Sequence, residues 1–275
     1  MKFVIHGQTY YVEMYGSGQP LLLLHGFTGS CRTWHPFVEA WGEHMQCIAI
    51  DIVGHGRTDA PSSVERYHIE TVAKHIATLL EQLEIKKAHV LGYSMGGRLA
   101  LTFAVRYPHL VQTLILESSS PGLKTEKERI KRREEDERLA QFIEKHGVAS
   151  FVERWENIPL FSSLQRLPLY VQQQLREERL QHQAIGLANS LRGMGTGAQP
   201  SWWDMLHQLT TPTLLICGEN DEKFCRIASE MVQLLPNGTL ITVPHAGHVV
   251  HIEQRERFCT LVQQFVLRGG LLYGD

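Results

Sequence analysis

The chain lacks the features that mark a membrane-spanning, secreted or nucleic-acid-binding protein. Its 275 residues contain no run of eighteen apolar side chains, so we expect no transmembrane helix and no membrane partner. The formal net charge is -2, and the absence of a basic excess argues against a nucleic-acid partner. The first residues alternate in polarity and have neither the apolar block nor the cleavage site of a signal peptide.

Cysteine is scarce and scattered. The chain has five cysteines, an odd number, and no CxxC pair. This pattern predicts reduced thiols in a cytoplasmic protein, without a disulfide framework or a zinc site. There is also no internal repeat and no low-complexity linker. The cysteines are Cys31, Cys47, Cys217, Cys225 and Cys259.

Short apolar runs alternate with helical patterns at both ends of the chain. Such alternation predicts an α/β protein with a mostly parallel, twisted sheet and helices on both of its faces. Predicted strands cover a hairpin at 2–14 and runs at 20–24, 46–51, 88–92, 114–117, 213–218 and 239–243. Predicted helices cover 67–83, 95–107 and 251–267.

The middle of the chain follows another pattern. Residues 121–204 are rich in charge and contain no strand-like run. Helical patterns occupy 124–138, 140–155 and 168–191. We therefore predict a helical cap, or lid, at 121–204, inserted into a sheet core made of 1–120 and 205–275.

A glycine-rich turn at 92–97 carries the first candidate catalytic residue. Gly92-Tyr93-Ser94-Met95-Gly96 has the G-x-S-x-G pattern between a predicted strand and a predicted helix. In that context the turn lifts the Ser94 hydroxyl above the sheet edge as a nucleophile or base. The amide of Met95 and that of Phe27, in the loop after strand 20–24, are the predicted oxyanion hole. His25 in the same loop is predicted to support the site rather than react.

A reactive serine needs a base and an acid that orients the base. Asp221 directly follows the predicted strand 213–218, where such an acid belongs. His248 lies beyond Gly247, after the last strand, and is the predicted base. Alternatives nearby in the sequence are Glu219 and Glu222 for the acid and His245 and His251 for the base.

Arg98 lies four residues after Ser94, one helical turn on and on the same side of the helix. A guanidinium near a closed pocket is costly unless it meets an anion. The sequence leaves two partners open for Arg98: a carboxylate of the protein, or a carboxylate of the substrate.

Five segments together resemble the α/β-hydrolase superfamily: 25–27, 51–58, 92–97, 218–221 and 246–248. Within that superfamily, further segments are similar to the pyruvate-eliminating lyases of menaquinone biosynthesis. They are 92–98, 120–123, the spacing from Arg132 to Asp136, 155–161 and 175–176. The resemblance implies the α/β-hydrolase fold and a lyase that needs no metal or organic cofactor.

The resemblance also implies roles for individual residues. Ser94, activated by His248 and Asp221, would remove a proton from a small-molecule substrate that carries three carboxylates. The implied carboxylate binders are Arg98, Arg132 and Arg176, with Arg133 and Arg179 as near alternatives. The implied pocket walls are Tyr93 and Trp155.

Two other functions stay open at this point. The same residues would suit a hydrolase of carboxylic esters or of C–C bonds, in which the serine is acylated or water is activated. A function of another class is a non-catalytic ligand sensor, in which the cap closes over a ligand and recruits a partner protein. The sequence does not predict the oligomeric state.

Overall fold

The computed structural model describes residues 1–271, so residues 272–275 of the predicted core lie outside the described part. Within that part the chain forms one eight-stranded sheet with the order β1-β2-β4-β3-β5-β6-β7-β8. Strands β3 to β8 pair in parallel, and the antiparallel pairs are β1 with β2 and β2 with β4. The strands are β1 Lys2–Ile5, β2 Gln8–Tyr15, β3 Gln19–Leu24, β4 Met45–Ile50, β5 Ala88–Tyr93, β6 Val111–Glu117, β7 Thr213–Gly218 and β8 Gly238–Val243.

Helices cover both faces of the sheet. In β3, Leu22 and Leu24 pack into one apolar cluster and Leu21 and Leu23 into another on the opposite face. This is the burial expected of a parallel strand covered on both sides. The helices are α1 Val38–Gly42, α2 Ile69–Gln82, α3 Met95–Arg106, α4 Glu126–Trp155, α5 Leu169–Leu180, α6 Ala184–Met194, α7 Glu222–Leu234, α8 Val250–Glu253 and α9 Arg255–Leu267.

The α/β fold class predicted from the sequence is confirmed, with four differences in the helices. The predicted helical patterns 124–138 and 140–155 belong to the single helix α4. Helices α1 and α7 were not predicted. The predicted helix 168–191 is two helices, α5 and α6. The predicted closing helix is also two, because the backbone leaves the helical region at Gln254, where φ is -134°. No helix within residues 1–271 has the length and apolar character needed to cross a membrane.

Helices α4, α5 and α6 lie in the chain between β6 and β7. Helix α4 begins with a capping box, in which Thr125 and Glu128 satisfy each other's backbone amides. It is interrupted at Gly147, whose φ of 79° and ψ of 171° lie outside the helical region. Its apolar side chains form a small core of their own with α6. That residues 121–204 act as a lid stays a prediction.

Candidate active site

Ser94 lies in a strained turn between β5 and α3. Its φ of 50° and ψ of -106° are unfavourable for a residue with a Cβ atom. The turn is tight, because a Cβ atom on Gly96 would lie 2.1 Å from the carbonyl oxygen of Leu24. This geometry places the Ser94 hydroxyl where the nucleophile or base was predicted.

The imidazole of His248 lies between Ser94 and Asp221. Its Nε2 is 3.1 Å from Ser94 Oγ, and its Nδ1 is 2.7 Å from Asp221 Oδ2. Asp221 is also the N-cap of α7, because its Oδ1 accepts a hydrogen bond of 3.3 Å from the Phe224 amide. A carboxylate at Nδ1 orients the ring so that Nε2 can take the serine proton. His248 is therefore within hydrogen-bonding distance of both Ser94 and Asp221, in the predicted order.

The alternative acids and bases lie elsewhere. Glu219 accepts a hydrogen bond from the His245 amide at 3.2 Å, away from Ser94. Glu222 is exposed in the first turn of α7. His251 forms a separate buried pair with Glu117, at 2.9 Å.

The positions of the Phe27 and Met95 amides fit the predicted oxyanion hole. Both residues line the same cavity as Ser94, and within residues 1–271 neither amide donates a hydrogen bond. His25, in contrast, does not line this cavity. Its Nδ1 lies 2.7 Å from the Gly26 carbonyl, and its Nε2 accepts from the Ile52 amide at 2.9 Å. Burial lowers the pKa of His25 to about 4, so the neutral ring holds the loop in place.

A cavity of about 170 Å³ opens beside Ser94 and His248. Its walls combine cationic and aromatic side chains, which suits an anionic ligand with an unsaturated ring. The cationic residues are Arg98, Arg132 and Lys223, and the aromatic residues are Phe27, Tyr93, Trp155, Phe161 and Phe224. Lys223 and Phe224 belong to the unpredicted helix α7, and their only signal in the sequence is their closeness to Asp221.

Arg98 has neutral partners. Its Nη1 donates to the carbonyl of Met194 at 2.5 Å and to Oε1 of Gln199 at 3.1 Å. No carboxylate within residues 1–271 forms an ion pair with it. Burial and the nearby charge of Arg132 lower the pKa of Arg98 to about 10. The charge of Asp136 acts on Arg98 and opposes this lowering, but Asp136 makes its ion pair with Arg132. Of the two partners considered for Arg98, a protein carboxylate in direct contact is not found within the described residues.

Arg132 is held in the cavity wall by Asp136, with 2.8 Å between Nε and Oδ1. Burial raises the pKa of the Asp136 carboxyl. Arg133, the next residue after Arg132, donates to the Gly197 carbonyl and to Glu126 and does not line the cavity. Of the two adjacent arginines, the one predicted from the resemblance faces the cavity.

Arg176 is not brought together with the other predicted residues. Its guanidinium pairs with Glu156 and lines a separate surface cavity, because this side of α5 faces away from Ser94. Arg179, three residues later, is only 9% exposed and lies 5.3 Å from the Phe161 ring centroid. It lines a cavity of about 60 Å³ whose walls include Phe27 and Tyr93. Arg176 therefore does not line the cavity of Ser94, contrary to its predicted place. Arg179, the alternative left open by the sequence, lines both this adjoining cavity and the surface cavity of Arg176, and it forms no ion pair within residues 1–271.

Two buried polar groups in the cavity wall lack a partner. They are Nε1 of Trp155 and Oγ of Ser118, and neither forms a hydrogen bond within the described residues. Ser118 was not predicted from the sequence. Among residues 1–271 there is no group of three or more His, Cys, Asp and Glu side chains placed to hold a metal ion.

Comparisons with known proteins agree with this architecture. The family model of the alpha/beta hydrolase fold matches residues 19–254. A putative 2-succinyl-6-hydroxy-2,4-cyclohexadiene-1-carboxylate synthase of Bacillus subtilis (strain 168) is 47% identical over 250 residues, covering 91% of each chain. The synthase of the same name from Photorhabdus laumondii is 34% identical over 248 residues, covering 90% of this chain and 84% of its own.

Solved structures are similar as well. The structure of MenH from S. aureus has a TM-score of 0.91 and 35% identity, covering 95% of this chain and 99% of that one. A malate-bound thermophilic esterase from Thermogutta terrifontis has a TM-score of 0.87 and 25% identity, covering 98% of this chain and 99% of that one. The chain belongs to the α/β-hydrolase fold family.

Proposed function

We propose that the protein is a carbon–oxygen lyase of menaquinone biosynthesis. It eliminates pyruvate from 2-succinyl-5-enolpyruvyl-6-hydroxy-3-cyclohexene-1-carboxylate and leaves 2-succinyl-6-hydroxy-2,4-cyclohexadiene-1-carboxylate. The observation that carries this proposal is Arg98, a cation that forms no ion pair within residues 1–271, one helical turn after Ser94 and in the same cavity. The names of the similar synthases, at up to 47% identity, support the choice of reaction.

The arginines would bind the three carboxylates of this substrate. Arg98 and Arg132 lie in the wall of the main cavity, and Arg179 lies in the adjoining one. A guanidinium matches a carboxylate with two parallel hydrogen bonds, which fixes orientation as well as charge. Tyr93 and Trp155 would pack against the ring between these anchors.

Ser94 would act as the general base. His248 takes the hydroxyl proton through Nε2, while Asp221 holds the imidazole through Nδ1. The serine oxygen then takes a proton from the substrate ring, and the electrons of that C–H bond move into the ring. The C–O bond to the enolpyruvyl group breaks, and the leaving enolate takes the proton that His248 holds. This gives pyruvate and restores the neutral imidazole.

The amides of Phe27 and Met95 would stabilise the charge that develops on the succinyl carbonyl oxygen. Both amides are free of partners in the described chain and belong to the cavity wall. Removing one such donor from an oxyanion hole costs about 3–4 kcal/mol of barrier in other enzymes. This stabilisation grows during the reaction, because the charge is largest in the transition state.

Residues 121–204 would serve as the cap of this site. They contribute Arg132, Trp155 and Phe161 to the cavity wall, whereas the core contributes Ser94 and His248. A cap that supplies part of the wall would exclude water when the substrate is bound. We also propose a cytoplasmic location, in keeping with five cysteines that are all free in the structure.

The test is incubation of the purified protein with the enolpyruvyl substrate. Released pyruvate is followed by its reduction to lactate in a coupled assay, and the diene product by its ultraviolet absorbance. We expect both signals to rise together with wild-type protein and to be lost with Ser94→Ala. Pyruvate release no faster than with Ser94→Ala would contradict the proposed function.

Hydrolysis of a carboxylic ester is the second candidate. The similarity to the malate-bound esterase favours it. With the help of His248 and Asp221, Ser94 could attack an ester and become acylated. In that case kcat/KM for hydrolysis of a small neutral ester would exceed kcat/KM for pyruvate elimination. A burst of alcohol release before steady state would identify an acyl-enzyme, which the lyase reaction does not form.

A further inference from the structure

Ser118 has an unusual backbone for a serine. It directly follows β6, and its φ of 47° lies in the left-handed region that favours glycine. Its amide donates to the carbonyl of Ile216 at 2.9 Å, which fixes the backbone in this conformation. Strain of this kind is kept where the surrounding structure enforces it, and it concentrates at functional sites.

The Ser118 hydroxyl adds a second cost. The residue is only 2% exposed, and its Oγ forms no hydrogen bond within residues 1–271. A buried hydroxyl without a partner is unfavourable. Glycine at this position would remove both the strain and the unsatisfied hydroxyl. The side chain therefore needs an explanation that the folded chain alone does not provide.

The location of Ser118 supplies one. It lines the cavity that holds Ser94 and His248, so a ligand in that cavity is a partner within its reach. The neighbouring backbone is tied to Ser94, because the Ser94 amide donates to the backbone carbonyl of Glu117 at 2.9 Å and Ser119 Oγ donates to the Ser94 carbonyl at 3.3 Å. Ser118 is thus held at a fixed place relative to the reacting atoms.

We propose that the Ser118 hydroxyl is a specificity-determining group that binds the ring hydroxyl of the substrate. This inference rests on the proposed lyase function. An alcohol both donates and accepts, whereas the arginine and lysine side chains of the cavity only donate. Two other serines in the wall already have partners: Ser120 Oγ accepts from the Gly122 amide, and Ser190 Oγ donates to Met95 Sδ.

Two variants separate the hydroxyl from the backbone strain. Ser118→Ala removes the hydroxyl and keeps the strain, whereas Ser118→Gly removes both. We expect KM for the enolpyruvyl substrate to rise by a similar factor in both, about three- to tenfold, as for one lost hydrogen bond. The thermal midpoint should rise above wild type in both variants, and further in Ser118→Gly, because only that variant also relieves the backbone strain. A KM for Ser118→Gly equal to that of wild type would overturn the proposal.

A substrate analogue without the ring hydroxyl tests the contact itself. Wild type should bind this analogue less tightly than the substrate, by about the factor that Ser118→Ala loses on the substrate. The Ser118→Ala variant should then show no further loss with the analogue, because the contact is already absent. If the loss of affinity from Ser118→Ala and the loss from removing the ring hydroxyl were additive, this would contradict a hydrogen bond between Ser118 and the ring hydroxyl.

Glu84 provides the matched control for strain. Its φ is 57°, and it is exposed after the end of α2, outside the walls of the cavity. Glu84→Gly should raise the thermal midpoint without changing KM. If wild type releases no pyruvate, the proposed function and this inference both fail. If wild type is active and the Ser118 variants match it in KM, only the inference fails.

Discussion

The backbone amide of Arg98 donates a hydrogen bond of 3.0 Å to the carbonyl oxygen of Ser94. This bond closes the first turn of α3, so one helical turn holds the reactive hydroxyl and the cation together. An anion bound by Arg98 is therefore placed relative to Ser94 by this turn and by the contacts of the guanidinium with Met194 and Gln199.

The first prediction concerns the charge of Arg98. We expect Arg98→Gln to lower kcat/KM for pyruvate release by about 10- to 100-fold. This factor corresponds to the free energy that one hydrogen bond to a charged group contributes. The control is Arg106→Gln on the same helix, where the guanidinium pairs with exposed Glu70. Because Arg98 also binds Met194, thermal unfolding is measured for both variants. Equal kinetics for the two variants would contradict the proposed role.

The second prediction separates the two arginines of α5. Arg179→Gln should raise KM by about tenfold or more, because it removes a buried cation beside the aromatic wall that forms no ion pair within residues 1–271. Arg176→Gln should change KM by less than about twofold, because its ion pair with Glu156 is partly exposed. The steady-state kinetics of both variants decide the matter. The reverse order of effects would restore the assignment made from the sequence.

The third prediction concerns the residues around His248. Ser94→Ala should keep the fold and lose at least about a thousandfold in kcat. Asp221→Asn should lose about 10⁴-fold in kcat, because the ring then adopts the wrong tautomer. Glu219→Gln is the control, since within residues 1–271 that carboxylate accepts a hydrogen bond only from the His245 amide. Full activity of Asp221→Asn would show that another acid orients the imidazole.

The fourth prediction is a loss of stability in acid. Burial lowers the pKa of both His75 and His89 from the ordinary 6.5 to about 4. The unfolded chain then binds protons between pH 6.5 and 4 that the folded chain does not, so stability is full above pH 6.5 and declines toward pH 4. Each histidine contributes up to about 3 kcal/mol to this loss.

Urea unfolding at several pH values measures this dependence. His89→Gln should flatten the slope between pH 6.5 and 4, since the replacement cannot titrate. It can keep a contact with Thr113 and Gln19, which lie 2.8 and 2.7 Å from the two ring nitrogens. His109→Gln, at an exposed position, should leave the slope unchanged. An unchanged slope in His89→Gln would mean that this histidine is protonated in the folded protein.

The strands and the turn at Ser94 could be predicted because their signals are local. A run such as Leu21–Leu24 is buried on both faces, and the glycines around Ser94 meet the needs of one tight turn. The orientation of α5 could not be predicted. Its sequence has no continuous apolar stripe, and the exposed side chains include Leu169 and Tyr170 while Arg179 is buried.

Ser118 shows a second limit of the sequence. The run of three serines before Pro121 carries no local signal for burial. The structure instead buries Ser118 in a left-handed conformation, which depends on the backbone of β7 through the Ile216 carbonyl. Contacts between segments almost 100 residues apart decide such a position, and local composition does not carry them.

The carboxylate of Asp221 has one oxygen for each of two tasks, since Oδ1 holds the first turn of α7 and Oδ2 holds His248. Helix nucleation and imidazole orientation therefore share one side-chain torsion. Fraying of α7 would rotate that torsion and slow the reaction without removing any group that meets the substrate. Substitutions along the start of α7 are thus a route by which evolution can tune turnover from outside the binding cavity.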